Sequence, residues 1–580
     1  MKKIYPTFIS ILFTLYIFFI VGRVISEPAQ PMRMCAEWEP ARGILITYPP
    51  KIPASLVVEL AKDDTLYTLV KNNSQQNAAV TLYNSWSVNL EHCQFIYSDH
   101  YSCWTRDWGP QYVFDGDGNL GIADPIFDGY PWVPGGMKRG ISKDWGQDDI
   151  VNVDIAQYFN CALHELPAYF TGGNVMTDGH GYAFSTEQML DENSDLWDPS
   201  AFKYQVNLYT GIDNYNFISN IEDYGIQHID CAAKLLDEET ILVKELPIWH
   251  PDYDRIETVV DELESLENCY GRHYNIVRIF CDSYDGNSVA AYTNSLILNG
   301  KVLVPLFGIS SDSTALQTYE NAMPGYEVLG FYYNDPSHPW YYYDALHCRT
   351  MGIFDRNMLR LTHKRLNPQV PYQDQYEIKS YIHDYSNAGL LQDNLKVMWR
   401  IQGEVLWNDE QLVEIAGTDS FYSFIPCQNI GTKVQYYLTA CDSSGRSETL
   451  PPSAPQGFYE FTVIENSIEN EPFRQNILFQ NYPNPININT NNLSQSGCKT
   501  TIFYELKNDS KVSLKIYNIK GKFIKKLINE RKNAGIHNII WRGKNYRSEI
   551  VKPGLYLYKL EIKSEKGLNE AFYKKMILTD

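Results

Sequence analysis

At 580 residues, 44% hydrophobic and 14% aromatic with 43 tyrosines, the chain exceeds what one core organises and is neither disordered nor collagen-like. About three or four folding units are expected. The net charge of −21 is uneven, since residues 501–580 hold 18 Lys and Arg against 8 Asp and Glu, leaving −31 for residues 1–500. An acidic body of that size disfavours nucleic acid and favours cationic ligands.

Residues 1–26 open with Lys2 and Lys3, run through apolar Phe8 to Val21, and close with Arg23 and short residues near Ser26. The apolar run is shorter than the ~20 residues of a spanning helix, so it reads as a secretory signal cleaved before Glu27, with no stable membrane span. The mature protein is then expected to be secreted or held at the cell surface. Eleven cysteines without a CxxC pair give no support to a zinc ribbon or a thioredoxin site, and no metal is expected.

From residue 32 to 370, short apolar runs alternate with helical patterns such as Ile256–Leu266, which predicts one large mixed α/β unit. Five polar signatures recur there at intervals of roughly 60 residues, suggesting modules around a shared centre. In chain order the first is Trp104-Thr105-Arg106-Asp107, where Trp104 and Trp108 can flank a cation beside the Asp107 carboxylate. Asp107 can equally cap a turn before Gly109-Pro110. The string Asp115-Gly116-Asp117-Gly118-Asn119 lacks the distant glutamate of a calcium loop and reads as a hairpin turn. Gly172-Gly173-Asn174 reads as a turn.

His228-Ile229-Asp230 has two-residue spacing, which on a strand sends both polar side chains to one face. A proton shuttle and a carboxylate would then arrive together, although an exposed polar strand face has the same spacing. Asn294 interrupts an expected apolar strand over Tyr292–Leu298, so its amide is either structural or orients its neighbours. Cys348 follows the proline- and tyrosine-rich stretch Pro336–Tyr343, which predicts an accessible loop thiol whose thiolate a nearby cation stabilises. Adjacent His347 would face the other way and ranks below His228 as an acid.

From 373 to 465 the texture alternates, as in Val397–Ile401 and Val434–Thr439 with the turn Asp442-Ser443-Ser444-Gly445, predicting an immunoglobulin-like sandwich. Residues 466–478 read as a linker. Residues 479–580 again alternate, in Val512–Asn518 and Leu555–Tyr558, predicting a second small sandwich.

These residue types suit a guanidinium substrate: carboxylates grip its planar N–H fork, a soft nucleophile attacks its carbon, and an acid protonates the departing amine. Together with Asp344–Thr350, Thr293–Asn299 and Ala322–Glu327, the five signatures resemble the guanidino-group-modifying superfamily. Specifically, they are similar to its Porphyromonas-type peptidylarginine deiminase and agmatine deiminase branch. The resemblance implies a five-bladed α/β propeller followed by two β-sandwich domains, and a hydrolase converting arginine to citrulline without metal or organic cofactor. Carried over by position, Cys348 is the nucleophile, His228 the general acid and base, Asp107 and Asp230 the substrate clamps, and Asn294 orders the catalytic pair. Trp104 lines the side-chain tunnel. The implied partners are arginine-containing peptides or proteins, or small guanidines.

Two arginines with which the peptidylarginine member grips a terminal carboxylate are missing from Asp128–Pro134, with Lys138 and Arg139 the nearest substitutes. Phe479–Pro485, Trp541 and Pro553–Tyr558 resemble a type IX secretion sorting domain, implying that machinery as a partner. The alternatives are an agmatine deiminase, which the export signal disfavours, and a non-catalytic surface binding protein on the same scaffold.

Overall fold

The computed structural model describes residues 28–131, 145–223, 225–465, 476–481, 484–487, 499–533, 535–564 and 569–579. The expected signal segment, Lys138, Arg139 and most of the expected linker lie outside them. The fold is mixed α/β. Among the described residues no helix is long and apolar enough to cross a membrane.

Residues 33–354 form five small sheets of three or four strands built on one recurring pattern. A strand pairs antiparallel with its successor, the chain passes through a helix, and the next strand returns parallel. Ala233–Leu235, Thr240–Glu245, the helix Tyr253–Ser265 and Asn275–Phe280 make one such unit. Leu296–Leu298, Lys301–Leu306, the helix Asp312–Ala322 and Glu327–Tyr332 make the next. Strands starting at Met176 and at Gln111 open two more, the latter with Arg33–Met34 added at its edge. In the fifth sheet Met351–Phe354 runs antiparallel to Ala41–Thr47, which lies parallel to Thr65–Val70, so the start and end of this region are fastened together.

The local sequence explains these elements. Ile256, Val259, Val260 and Leu263 recur at helical spacing and are the buried face of Tyr253–Ser265. Parallel strands such as Ala41–Thr47 read as near-continuous apolar runs because both faces are covered. The cores lie between consecutive sheets: Leu45, Tyr67 and Ile96 of one meet Tyr112, Phe114 and Ile122 of the next.

Each passage from one sheet to the next carries one polar signature: residues 98–110, 170–175, 219–232, 281–295 and 333–350. Two of these differ from expectation. His228-Ile229-Asp230 is not on a strand but caps and enters a 3-10 turn over Ile229–Cys231. The expected strand Tyr292–Leu298 begins only at Leu296, since Asn294 sits in a turn closed by its N–H to the Ala291 carbonyl at 3.0 Å. Alternation of polar and apolar residues fits a tight turn as well as a strand, and buried turns need the side-chain acceptors that Asp and Asn provide.

From Leu359 to Ile464 two sheets enclose a single core that includes Tyr376, Ile378, Val397, Leu438 and Phe461. The Asp442 turn forms between Lys433–Cys441 and Ser447–Leu450, with the Asp442 carboxylate accepting the N–H groups of Ser444 and Arg446. Polar contacts that tie this pair of sheets to the five-sheet region include Arg360 Nε to Glu39 at 2.7 Å, Arg33 Nε to the Tyr385 hydroxyl at 3.0 Å, and Ser453 Oγ to the Pro324 carbonyl at 2.8 Å.

Residues 465–580 make a separate compact unit. In it a three-stranded and a five-stranded sheet share a core of Ile502, Tyr504, Leu514, Trp541 and Tyr558.

Candidate active site

Cys348 lies on the passage between the fourth and fifth sheets, and Arg349 fixes that passage. The Arg349 side chain is fully buried, forks onto both Asp344 oxygens at 2.8 Å, donates to the carbonyls of Lys51, His338 and Pro339, and lies over the Trp340 ring. Asn294 completes the support: its Oδ1 accepts the N–H of His347 at 3.0 Å and of Cys348 at 3.3 Å, while its Nδ2 donates to Cys348 Sγ at 3.2 Å. Contrary to the expectation of an accessible loop thiol, Cys348 is 1% exposed. The loop is short of regular structure but runs through the interior, with its polar groups satisfied by Asn294 and Arg349 rather than by solvent.

Asp230 approaches the sulfur to 3.9 Å. Asp107 faces it, with its Oδ1 3.4 Å from His228 Nδ1 and accepting the Gly173 N–H at 3.2 Å, and its Oδ2 accepting the Tyr130 hydroxyl. Trp104 stands edge-on to Tyr130, ring centroids 5.7 Å apart, and Tyr130 lies as close to the His228 ring. Asp107, His228, Asp230, Asn294 and Cys348 therefore belong to one buried cluster, with half-buried Trp104 beside Tyr130. Gly173 is more than a turn former: a Cβ there would lie 2.5 Å from Asp107 Oδ1 and 2.6 Å from His228 Nδ1, so only glycine leaves room between them.

Behind Asp230 is a layer in which only His347 carries a signature in the sequence. His347 bridges Asp230 Oδ2 at 2.7 Å and Glu37 Oε2 at 2.8 Å, and Glu37 also takes Lys234 Nζ and the Ile297 N–H at 2.8 Å. His347 shares Asp230 Oδ2 with Cys348, its Nδ1 at 2.7 Å and the sulfur at 3.9 Å, so it supports the carboxylate from behind. Glu37 and His347 are 310 residues apart in the chain, a separation at which no local pattern signals contact.

The two carboxylates are held in opposite states. Burial pushes Asp230 up, but the hydrogen bond and charge of His347, then His228, outweigh it and hold its carboxyl below the usual range. Asp107 goes well above, raised by burial and then by Asp230, with Tyr130 opposing. Burial, then Asp230, Cys231 and Asp107, pushes the Cys348 thiol well up. Burial carries the His228 imidazole down to about 4, so it is neutral at neutral pH. Both its ring nitrogens are buried without a hydrogen-bond partner among the described residues. The cluster thus brings two carboxylates, a thiol and a neutral imidazole together, with no cation between the carboxylates among the described residues.

A family model described as Porphyromonas-type peptidyl-arginine deiminase matches residues 33–353, more than half of the chain. The chain belongs to that family. Its members are hydrolases acting on guanidino C–N bonds. Among curated relatives of this deiminase family, the protein named "Putative agmatine deiminase" from Mycoplasma capricolum is 24% identical over 309 residues, 48% of this chain and 80% of its own length. The similarly named protein of Vibrio parahaemolyticus is 25% identical, covering 39% and 69%. Among solved structures, one named as an agmatine deiminase aligns with TM-score 0.50 and 19% identity over 56% of this chain and 96% of its own, which supports the deiminase fold. A Porphyromonas gingivalis structure named as an arginine deiminase aligns with TM-score 0.48 and 21% identity, over 56% and 98%.

Proposed function

We propose that the chain hydrolyses the guanidinium group of arginine, peptidyl or free, to citrulline and ammonia through a covalent thiouronium on Cys348. The observation that carries this reading is a pair of carboxylates, Asp107 and Asp230, beside a buried thiol and a neutral imidazole, with no protein cation between them among the described residues. A planar cation with N–H groups on several edges fits that gap. Its charge offsets the burial and the repulsion from Asp230 that hold Asp107 and Cys348 protonated, so binding the substrate favours ionisation of both.

The steps follow from the groups present. Cys348 Sγ, its proton passed to His228, attacks the guanidinium carbon. The C–N bond breaks as His228 returns the proton to the departing nitrogen, which leaves as ammonia. Water, deprotonated by His228, attacks the thiouronium carbon, and the C–S bond breaks to give the ureido product and the free thiol. Asn294 positions the sulfur, and Trp104 with Tyr130 walls the substrate side chain.

Mass spectrometry of a peptide series with arginine placed internally and at the C-terminus, beside free arginine and agmatine, tests reaction and substrate together. Conversion of the imino group to oxygen is expected in an arginine substrate, and its absence from the whole panel would refute the reading. The relatives named as agmatine deiminases support a second reading, agmatine as substrate, and turnover of agmatine alone would establish it.

We further propose that the five sheets are blades of one propeller around this site, a reading supported by the recurring unit and by the pairing of Met351–Phe354 with Ala41–Thr47. The sandwich pair and the tail are proposed as two appended domains. The charged and apolar start of the chain and the strand pattern after Phe479 support export, with the tail as a type IX sorting signal. Truncation at Phe479 is expected to retain the protein inside the cell.

A further inference from the structure

Arg106 stands beside Asp107 in the first polar signature, yet no step of the proposed reaction uses it. Its backbone N–H donates to the Cys348 carbonyl at 3.1 Å, which fixes its place next to the nucleophile. Its side chain lines a cavity of about 60 Å³ behind Asp230, together with Glu37, Asp230, Lys234 and His347.

Arg106 is 9% exposed, and its Nε and Nη2 are buried without a hydrogen-bond partner among the described residues. Arg349 and Arg360, the other buried arginines among those residues, are each held by a carboxylate, at 2.8 Å and 2.7 Å. The charge of Arg106 reaches Glu37, behind burial, Lys234 and His347 in influence, but both Glu37 oxygens are already taken. Oε1 accepts Lys234 Nζ and the Ile297 N–H, and Oε2 meets His347 Nε2, each at 2.8 Å.

The charges of the lining do not balance. Burial works against ionisation of Glu37, but Lys234 and His347 outweigh it and hold its carboxyl well below the usual range, as His347 does for Asp230. Ionised carboxylates only accept, so His347 meets both by donating from both ring nitrogens, which is its cationic form. Three cations then face two carboxylates, and Arg106 is the cation with no hydrogen-bonded acceptor. A guanidinium kept out of water in this way is costly, and a bound anion compensates it. A water needs about 10–15 Å³ of such space, so the cavity suits a halide-sized ion with water and not a bulky organic anion.

We propose that the cavity behind Asp230 binds a small monovalent inorganic anion of the halide class on Arg106 Nε and Nη2. The anion engages Arg106 and leaves Glu37 to His347, so it steadies the Asp230 carboxylate from behind. The site goes beyond the deiminase reading, and only its effect on turnover rests on that reading.

Bromide is the probe. Crystals of the full-length protein grown in potassium bromide, measured at the bromine absorption edge, are expected to show an anomalous peak within hydrogen-bond distance of Arg106 Nε and Nη2. In solution, exchanging potassium gluconate for potassium bromide at equal ionic strength should raise the melting temperature by about 2 °C and saturate, and Arg106→Gln should abolish the rise. With chloride-free arginine as substrate, the same exchange should raise wild-type kcat/KM about fivefold or more. Absence of the peak, or an equal melting shift in wild type and Arg106→Gln, overturns the site. A peak without a saturable shift in solution marks an adventitious ion only and overturns it too. Bound bromide with unchanged kcat/KM overturns the coupling to catalysis. Absence of turnover in every salt refutes the deiminase reading alone, because diffraction and melting decide the site without it. Should Arg106→Gln fail to fold, the wild-type peak and the saturation of the wild-type shift decide.

Discussion

Asp107 illustrates how a residue's state is set by what surrounds it. Its carboxyl is raised by burial and by Asp230, so the folded chain prefers it protonated. As pH climbs from the unfolded value of ~3.9 toward the raised one, the folded state loses stability that an amide would keep. Asp107→Asn is therefore expected to melt a few degrees higher than wild type at neutral pH, about 2–4 °C, with the gap closing in acid, while product formation is lost. A lower melting temperature in calorimetry would contradict this account. Glu37 acts one contact further out. Glu37→Gln weakens the hold on His347, so the Asp230 carboxyl rises, and the acidic limb of the kcat/KM profile should move up by about one pH unit with a roughly tenfold loss at neutral pH. A uniform loss with an unmoved profile would make Glu37 merely structural. Gly173→Ala places a methyl between Asp107 and His228, and activity should fall about 100-fold or more while circular dichroism stays native.

Among the elements, the strand Leu359–Thr362 has the sharpest consequence, because Arg360 and Arg33 share the buried Glu39 carboxylate at 2.7 Å each. Arg360→Met leaves Glu39 half-paired, and urea melts should show a loss of about 3–5 kcal/mol. Local periodicity alone makes several elements legible in the amino-acid order. The helix Tyr253–Ser265, the strand Lys433–Cys441 and the turn at Asp442 each follow from spacing within a dozen residues. The clustering of Asp107, His228, Asp230, Asn294 and Cys348 is readable from short motifs. Their setting is not: alternation cannot separate a 3-10 turn from a strand, and burial of Cys348 comes from distant segments. Glu37, Lys234 and Tyr130 carry no motif, and their neighbours lie far away in the chain.

At the scale of the whole molecule, charge and core are partitioned alike. The acidic body holds the site, and the basic last 80 residues belong to a unit with its own core of Leu514, Trp541 and Tyr558. Ending the chain after Ile464 should leave the main thermal transition within about 2 °C of its original position, as scanning calorimetry would show, because each unit closes its own apolar core. The sandwich pair before Ile464 is a different matter. Through His347, Glu37 braces the Asp230 carboxylate, while Glu39, two residues on, is gripped by Arg360. One short stretch of backbone thus serves two masters, so a lineage could not shed those sheets without also retuning its chemistry. Shortened versions are expected to survive only where something else has learned to steady Glu37.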